Sequence, residues 1–163
     1  RYTREFNYPP ESRVKTRADL PELGIKTYFC SNVCCAYRRD IFQKQGGFLK
    51  RTLFNEDMIF AAGLIQSGYA VAYAAGARVF HSHDLTPVQK FRRNFDLAVS
   101  QADHPEVLAD LPSEGEGKRL VKQTAWRLVR TGQVWQLPAL AAASGCNYPV
   151  YRLGTADKKL PRS

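Results

Sequence analysis

At 163 residues, 44% of them hydrophobic and 12% aromatic, the chain has enough apolar material for one globular core, which excludes a disordered tail. Its 24 Lys and Arg against 15 Asp and Glu leave a formal charge of +9, a balance that favours polyanionic partners: nucleic acid, anionic lipid headgroups or a pyrophosphate-bearing substrate. No run approaches the roughly 18 apolar residues of a membrane span, and no apolar region follows Arg1–Glu5 to make a signal sequence.

The stretch from Arg1 to Glu22 is polar and marked by Pro9, Pro10 and Pro21, and reads as a surface loop. A first residue other than Met leads us to expect a piece cut from a longer chain. From Ile25 to Tyr37 the β-branched and aromatic residues of I-K-T-Y-F-C-S-N-V-C-C-A-Y predict one or two buried strands. The cysteines at 30, 34, 35 and 146 fit neither a secreted disulfide framework nor a C-x-x-C zinc knuckle, so a reducing compartment is expected.

Asp40 to Gln45 reads as a short helix stopped by Gly46-Gly47. Asn55 then stands as an N-cap with Glu56 and Asp57 in the first turn, and the apolar run from Met58 to Ile65 ends at Gly68. Apolar on almost every side, that helix should be buried. Tyr69–Ala74 and Ala77–His81 read as two short strands parted by Gly76. Thr86-Pro87-Val88-Gln89 has the N-cap, N1 proline and N3 glutamine of a capping box, which predicts a helix running to about Gln101. Beyond Pro112, a Ser/Glu/Gly-rich break precedes helical spacing over Gly117–Thr131 and Trp135–Ala143. Intermixed strands and helices favour an α/β domain with a helical appendage.

Three groups of residues could do chemistry. Glu56 and Asp57 sit where a carboxylate can act as a general base, although acidic residues in a first turn are also ordinary capping chemistry. His81 and His83, alternating at a strand end, can present imidazoles to one ion; either could equally be structural. A zinc site adding Cys30, Cys34 or Cys35 has the wrong spacing for the usual knuckle. Arg92 and Arg93, on the first turns of the helix after Thr86, could clamp a phosphate or simply form a solvated face. The aromatics are not interleaved with basic residues as an RNA-binding sheet requires, so nucleic acid is not an expected partner.

These candidates fall in one order. The runs C-S-N-V-C-C-A-Y-R-R-D-I-F (Cys30 to Phe42), G-G-F (Gly46 to Phe48), F-N-E-D-M-I-F-A-A (Phe54 to Ala62), G-Y (Gly68-Tyr69), A-R-V-F-H-S-H (Ala77 to His83) and Q-K-F-R-R-N-F-D (Gln89 to Asp96) resemble glycosyltransferase family 2, particularly its bacterial rhamnosyltransferase-like members. The tail, with S-Q-A-D-H-P-E (Ser100 to Glu106), Y-R-L-G (Tyr151 to Gly154) and K-K-L-P (Lys158 to Pro161), is similar to the end of the same subgroup.

The resemblance implies the C-terminal half of a GT-A (nucleotide-diphospho-sugar transferase) fold over residues 1–111 and a helical extension over 112–163, with the nucleotide-binding N-terminal half missing. It implies inverting transfer of a sugar, with Asp57 as base beside Glu56, Ser31 and Asn32 on the acceptor side, and Arg92 or Arg93 at the donor diphosphate. A divalent cation (Mn²⁺ or Mg²⁺) would be held by His81 in preference to His83. The implied donor is a nucleoside-diphosphate sugar such as dTDP-rhamnose, and the acceptor a cell-surface polysaccharide intermediate or lipid-linked saccharide. The implied location is cytoplasmic, at the inner face of the cell membrane, where the basic appendage meets anionic lipid. Two other classes compete: a non-catalytic basic module binding nucleic acid or membrane, and a zinc-dependent hydrolase built on His81 and His83.

Overall fold

The computed structural model describes residues 6–81, 85–105 and 113–156. A short strand β1 (Arg13–Lys15) leads into a 3-10 turn and the single-turn helix α1 (Leu20–Leu23). Helices α2 (Arg39–Lys44) and α3 (Glu56–Gln66) follow, then strand β2 (Val71–Tyr73). Three long helices complete the chain: α4 (Pro87–Asp103), α5 (Ser113–Arg130) and α6 (Leu137–Thr155). β1 and β2 pair antiparallel with Val14 opposite Ala72.

α3 is the core of the first half. Met58, Ile59, Phe60, Ala61, Ala62, Leu64 and Ile65 are all buried, so the helix is enclosed on nearly every side as its sequence demands. Met58, Ala62 and Ile65 meet Tyr28, with Leu20, Ile25 and Val71 packed around them. A fully buried side chain such as Ile65 contributes on the order of 1.5–3 kcal/mol. Phe60, on another side of α3, joins Tyr37, Phe42 and Phe48 in a cluster of tilted and edge-to-face rings with centroids 5.0 to 5.7 Å apart. α2 ends as expected at Gly46-Gly47: both have positive φ, and the Gly47 N–H donates back to the Phe42 carbonyl at 2.9 Å.

α4 begins with the capping box its sequence predicts. Gln89 N–H donates to Thr86 Oγ1 at 3.3 Å, while Gln89 Oε1 accepts from Thr86 N–H at 2.9 Å. The helix packs along α6. They approach so closely at Gly154 that a Cβ there would lie 2.6 Å from the Phe95 carbonyl oxygen and 2.7 Å from Ala98 Cβ. Tyr151 Oη donates to Gln101 Oε1 at 2.9 Å across the same seam.

Several expected elements differ. Ile25–Tyr37 forms 3-10 turns at Gly24–Thr27 and Asn32–Cys34 instead of strands. Its apolar and β-branched content reflects burial of Thr27 and, against α3, of Tyr28, not pairing. The opening loop contains β1, which pairs with β2 and so shares the ribbon with the expected Tyr69–Ala74 strand. Ala77–His81 has no regular structure, and Val79 and Phe80 are exposed with no neighbouring strand among the described residues. The Gly115/Gly117 stretch read as a break lies inside α5, and α6 runs well past Ala143.

Candidate functional site

The chain enters α3 through Asn55, which sits in the left-handed region at φ 66°. Asparagine tolerates this conformation better than other side-chain-bearing residues. Asn55 holds the N-cap position, but its side chain makes no capping hydrogen bond, and its Nδ2 is buried without a partner among the described residues. Capping falls instead to Asp57, whose Oδ1 accepts from the Met58 N–H at 2.8 Å.

The turn brings Glu56 and Asp57, both half-buried, against the loop that carries Asn32. Asn32 N–H donates to Asp57 Oδ2 at 3.0 Å, and Asn32 Nδ2 donates to Glu56 Oε1 at 3.2 Å. Tyr37 Oη fixes the asparagine from behind by donating to its Oδ1 at 2.7 Å. Cys30 Sγ lies 3.8 Å from that phenol oxygen and 3.4 Å from Cys35 Sγ. Burial, with the sulfur contacts, pushes the Tyr37 phenol above its usual range. Each Asp57 oxygen thus receives one N–H. A carboxylate has room for about four donors, so acceptor capacity remains for a hydroxyl proton.

α4 braces this corner. Ser100 Oγ donates to the Phe54 carbonyl, and Thr52 Oγ1 lies 2.8 Å from Ser100 Oγ and 2.7 Å from the same carbonyl. One helical repeat earlier on the same face, the Arg93 guanidinium lies 5.3 Å from the centre of the Phe54 ring. Arg93 therefore stands beside the residue that leads into Asn55-Glu56-Asp57, while Arg92 is exposed on the same turn. Ser31 is half-buried, and its carbonyl accepts from the Cys34 N–H at 3.3 Å.

His81 is exposed, and His83 lies outside the described residues. Among the described residues no three His, Cys, Asp or Glu side chains gather to hold a metal. Glu56 and Asp57 are both turned to Asn32. The residues described here therefore do not compose a metal site by themselves, either for a cation on His81 or for zinc shared with the cysteines.

The geometry joins Glu56, Asp57 and Asn32 and sets Arg93 nearby, and comparison with known proteins says what such a chain is like. It is 41% identical over 163 residues to the O-antigen chain rhamnosyltransferase WbaN of Salmonella anatum, and 42% identical over 163 residues to the O-antigen chain rhamnosyltransferase RfbN of Salmonella typhimurium. Each match covers 99% of this chain. The similarity to these two rhamnosyltransferases runs the length of the chain. It spans about half the length of the curated relatives it matches, 51% and 52%. No family model and no solved structure matches it.

Sequence reasoning missed the residues that hold the candidate site together. Tyr37, Thr52 and Ser100 reach it through contacts spanning 5 to 48 positions, and no local pattern announces them. The one available signal for Tyr37 was its place in an aromatic-rich run beside Asn32.

Proposed function

We infer that this chain supplies the acceptor side and the catalytic base of an inverting glycosyltransferase of family 2. The single observation that carries the reading is the Asn32–Glu56/Asp57 constellation in a chain similar along its length to rhamnosyltransferases. Asp57 takes the proton of an acceptor hydroxyl as that oxygen bonds the anomeric carbon and the bond to the nucleoside diphosphate breaks. A single in-line displacement inverts the anomeric centre. Arg93, in preference to Arg92, is assigned to the developing diphosphate charge, because it lies against Phe54, two residues before Glu56.

The donor is a nucleoside-diphosphate sugar, with dTDP-rhamnose as the first candidate from the names of the relatives. The acceptor is a saccharide or lipid-linked saccharide of a cell-surface polysaccharide. A GT-A arrangement is proposed in which another half of the protein binds the nucleotide. Its support is the exposed Val79 and Phe80 of the segment before His81, apolar residues that an added sheet would cover. His81 offers one imidazole to a divalent cation whose other ligands come from that half, and no step of the transfer is routed through the ion.

The enzyme is proposed to work on the cytoplasmic face of the membrane, in peripheral contact with it. Arg119, Lys122, Trp126 and Arg130 recur at helical spacing on an exposed face of α5, with Trp126 61% and Trp135 70% accessible. Among the described residues no helix is long and apolar enough to cross a membrane.

The test uses a protein of the relatives' length that carries this chain, offered a panel of sugar nucleotides with Mn²⁺, Mg²⁺ or chelator. NMR of the product should show transfer from dTDP-rhamnose with inverted anomeric configuration. Retention of configuration, or transfer from no sugar nucleotide at all, contradicts the proposal.

A further inference from the structure

Two thiols stand in contact behind Asn32 with no role in the transfer chemistry. Cys30 Sγ and Cys35 Sγ are 3.4 Å apart, both cysteines are free, and Cys35 is exposed while Cys30 is partly covered. A disulfide bond is about 2.05 Å long, so the two sulfurs need close by only about 1.4 Å. Cys34, also exposed, stands beside Cys35 in the chain.

We propose that Cys30 and Cys35 form a peroxide-sensitive dithiol–disulfide couple that controls how firmly Asn32 is held on Glu56 and Asp57. The exposed Cys35 meets the oxidant: its thiol reduces hydrogen peroxide, giving a sulfenic acid and one water. The Cys30 sulfur then attacks that sulfenic sulfur, the S–S bond forms, and the sulfenic oxygen leaves as a second water with the Cys30 proton. A dithiol reductant reverses the couple by exchange. Burial pushes the Cys30 thiol up to about 11, so at neutral pH Cys30 is protonated, and the exposed Cys35 is the thiol of the pair that an oxidant reaches first.

The consequence runs through Tyr37. Its hydroxyl lies 3.8 Å from Cys30 Sγ and donates to Asn32 Oδ1 at 2.7 Å. Drawing the two sulfurs together changes the ring closed by residues 30 to 35, which contains Asn32 itself. The Asn32 backbone N–H that donates to Asp57 Oδ2 sits inside that ring and loses its geometry.

The test treats the full chain with hydrogen peroxide, then alkylates, digests and weighs it without reductant. The tryptic peptide from Thr27 to Arg38 carries all three thiols, so variants assign the pair. Wild type and Cys34→Ser should each lose two hydrogens from this peptide and regain them with dithiothreitol, while Cys30→Ser and Cys35→Ser should not form the link. Amide hydrogen exchange in the same peptide should quicken several-fold on oxidation of wild type and Cys34→Ser, and stay unchanged in Cys35→Ser. A link that requires Cys34, or oxidation of Cys35 to sulfinic acid with no link, overturns the site. A Cys30–Cys35 link that leaves exchange at Asn32 unaltered overturns the control of the loop. Neither readout uses sugar transfer, so the outcome stands apart from the catalytic assignment.

Discussion

Asn32 holds Asp57 by its backbone N–H, at 3.0 Å, across 25 positions of sequence. The same residue binds Glu56 through its side-chain amide and is itself gripped by Tyr37. One asparagine thus sets the direction of both carboxylates at the start of α3. Removing its side chain in Asn32→Ala loses two side-chain hydrogen bonds and keeps the backbone bond to Asp57. At an exposed position such bonds are worth about 0.5–1.5 kcal/mol each at most, so urea unfolding should show a loss of no more than about 3 kcal/mol. Transfer by the longer protein should fall through kcat, because Glu56 is released. Unchanged kcat contradicts the positioning role.

The α4–α6 seam gives a sharper test of packing. Gly154→Ala places a Cβ 2.6 Å from the Phe95 carbonyl oxygen, a contact that only helix separation relieves. The expected cost is about 1–3 kcal/mol. Gly145→Ala on the same helix has nothing within 4 Å and should stabilise by up to about 1 kcal/mol. Thermal unfolding of the two variants should shift in opposite directions; equal shifts contradict the seam.

Lys15, on β1, is buried, its ammonium donating to the Phe29 carbonyl and, at 3.1 Å, to that of Lys26. Burial pushes its pKa from 10.5 down to about 8. Between those values the unfolded chain binds more protons than the folded one, so stability attributable to Lys15 rises with pH. Below pH 8 the burial penalty is fully present, and it is lifted as pH approaches 10.5. Wild type should therefore gain stability relative to Lys15→Met as pH increases through this window. A flat difference in urea midpoints contradicts the burial of a charged amine.

Much of the helical half was legible because its signals are local. Thr86 to Gln89 fixed the start of α4, the paired glycines fixed the end of α2, and the all-round apolar run from Met58 to Ile65 gave a buried helix. The failures share one cause. Strand assignment for Ile25–Tyr37 rested on residue types that burial also selects, and β1 was invisible because its three residues become a strand only against β2. At the site, Glu56-Asp57 was legible as an acidic first turn. Asn55 takes the N-cap position expected of it, through a left-handed backbone turn, while the side-chain hydrogen bond at the helix start comes from Asp57.

Trp126 and Trp135 are large, exposed and accompanied by basic residues, with Arg130 stacked 5.0 Å from the Trp126 ring. If this face meets an anionic bilayer, the protein should co-sediment with phosphatidylglycerol-containing vesicles and not with neutral ones, and Trp emission should shift to the blue. Trp126→Ala with Trp135→Ala should weaken binding while leaving urea stability nearly unchanged. Binding that ignores lipid charge, or survives the double substitution, contradicts the assignment of this surface.

The most direct measurement is steady-state transfer by Asp57→Asn in a protein of the relatives' length, with donor binding followed separately. The amide is close in size to the carboxylate and keeps an oxygen for one of the two N–H groups that Asp57 accepts, from Met58 or Asn32, yet it takes no proton at neutral pH. The account predicts a fall in kcat of about 10²–10⁴ with donor affinity near that of wild type. Transfer at the wild-type rate contradicts the assignment of Asp57 as the base.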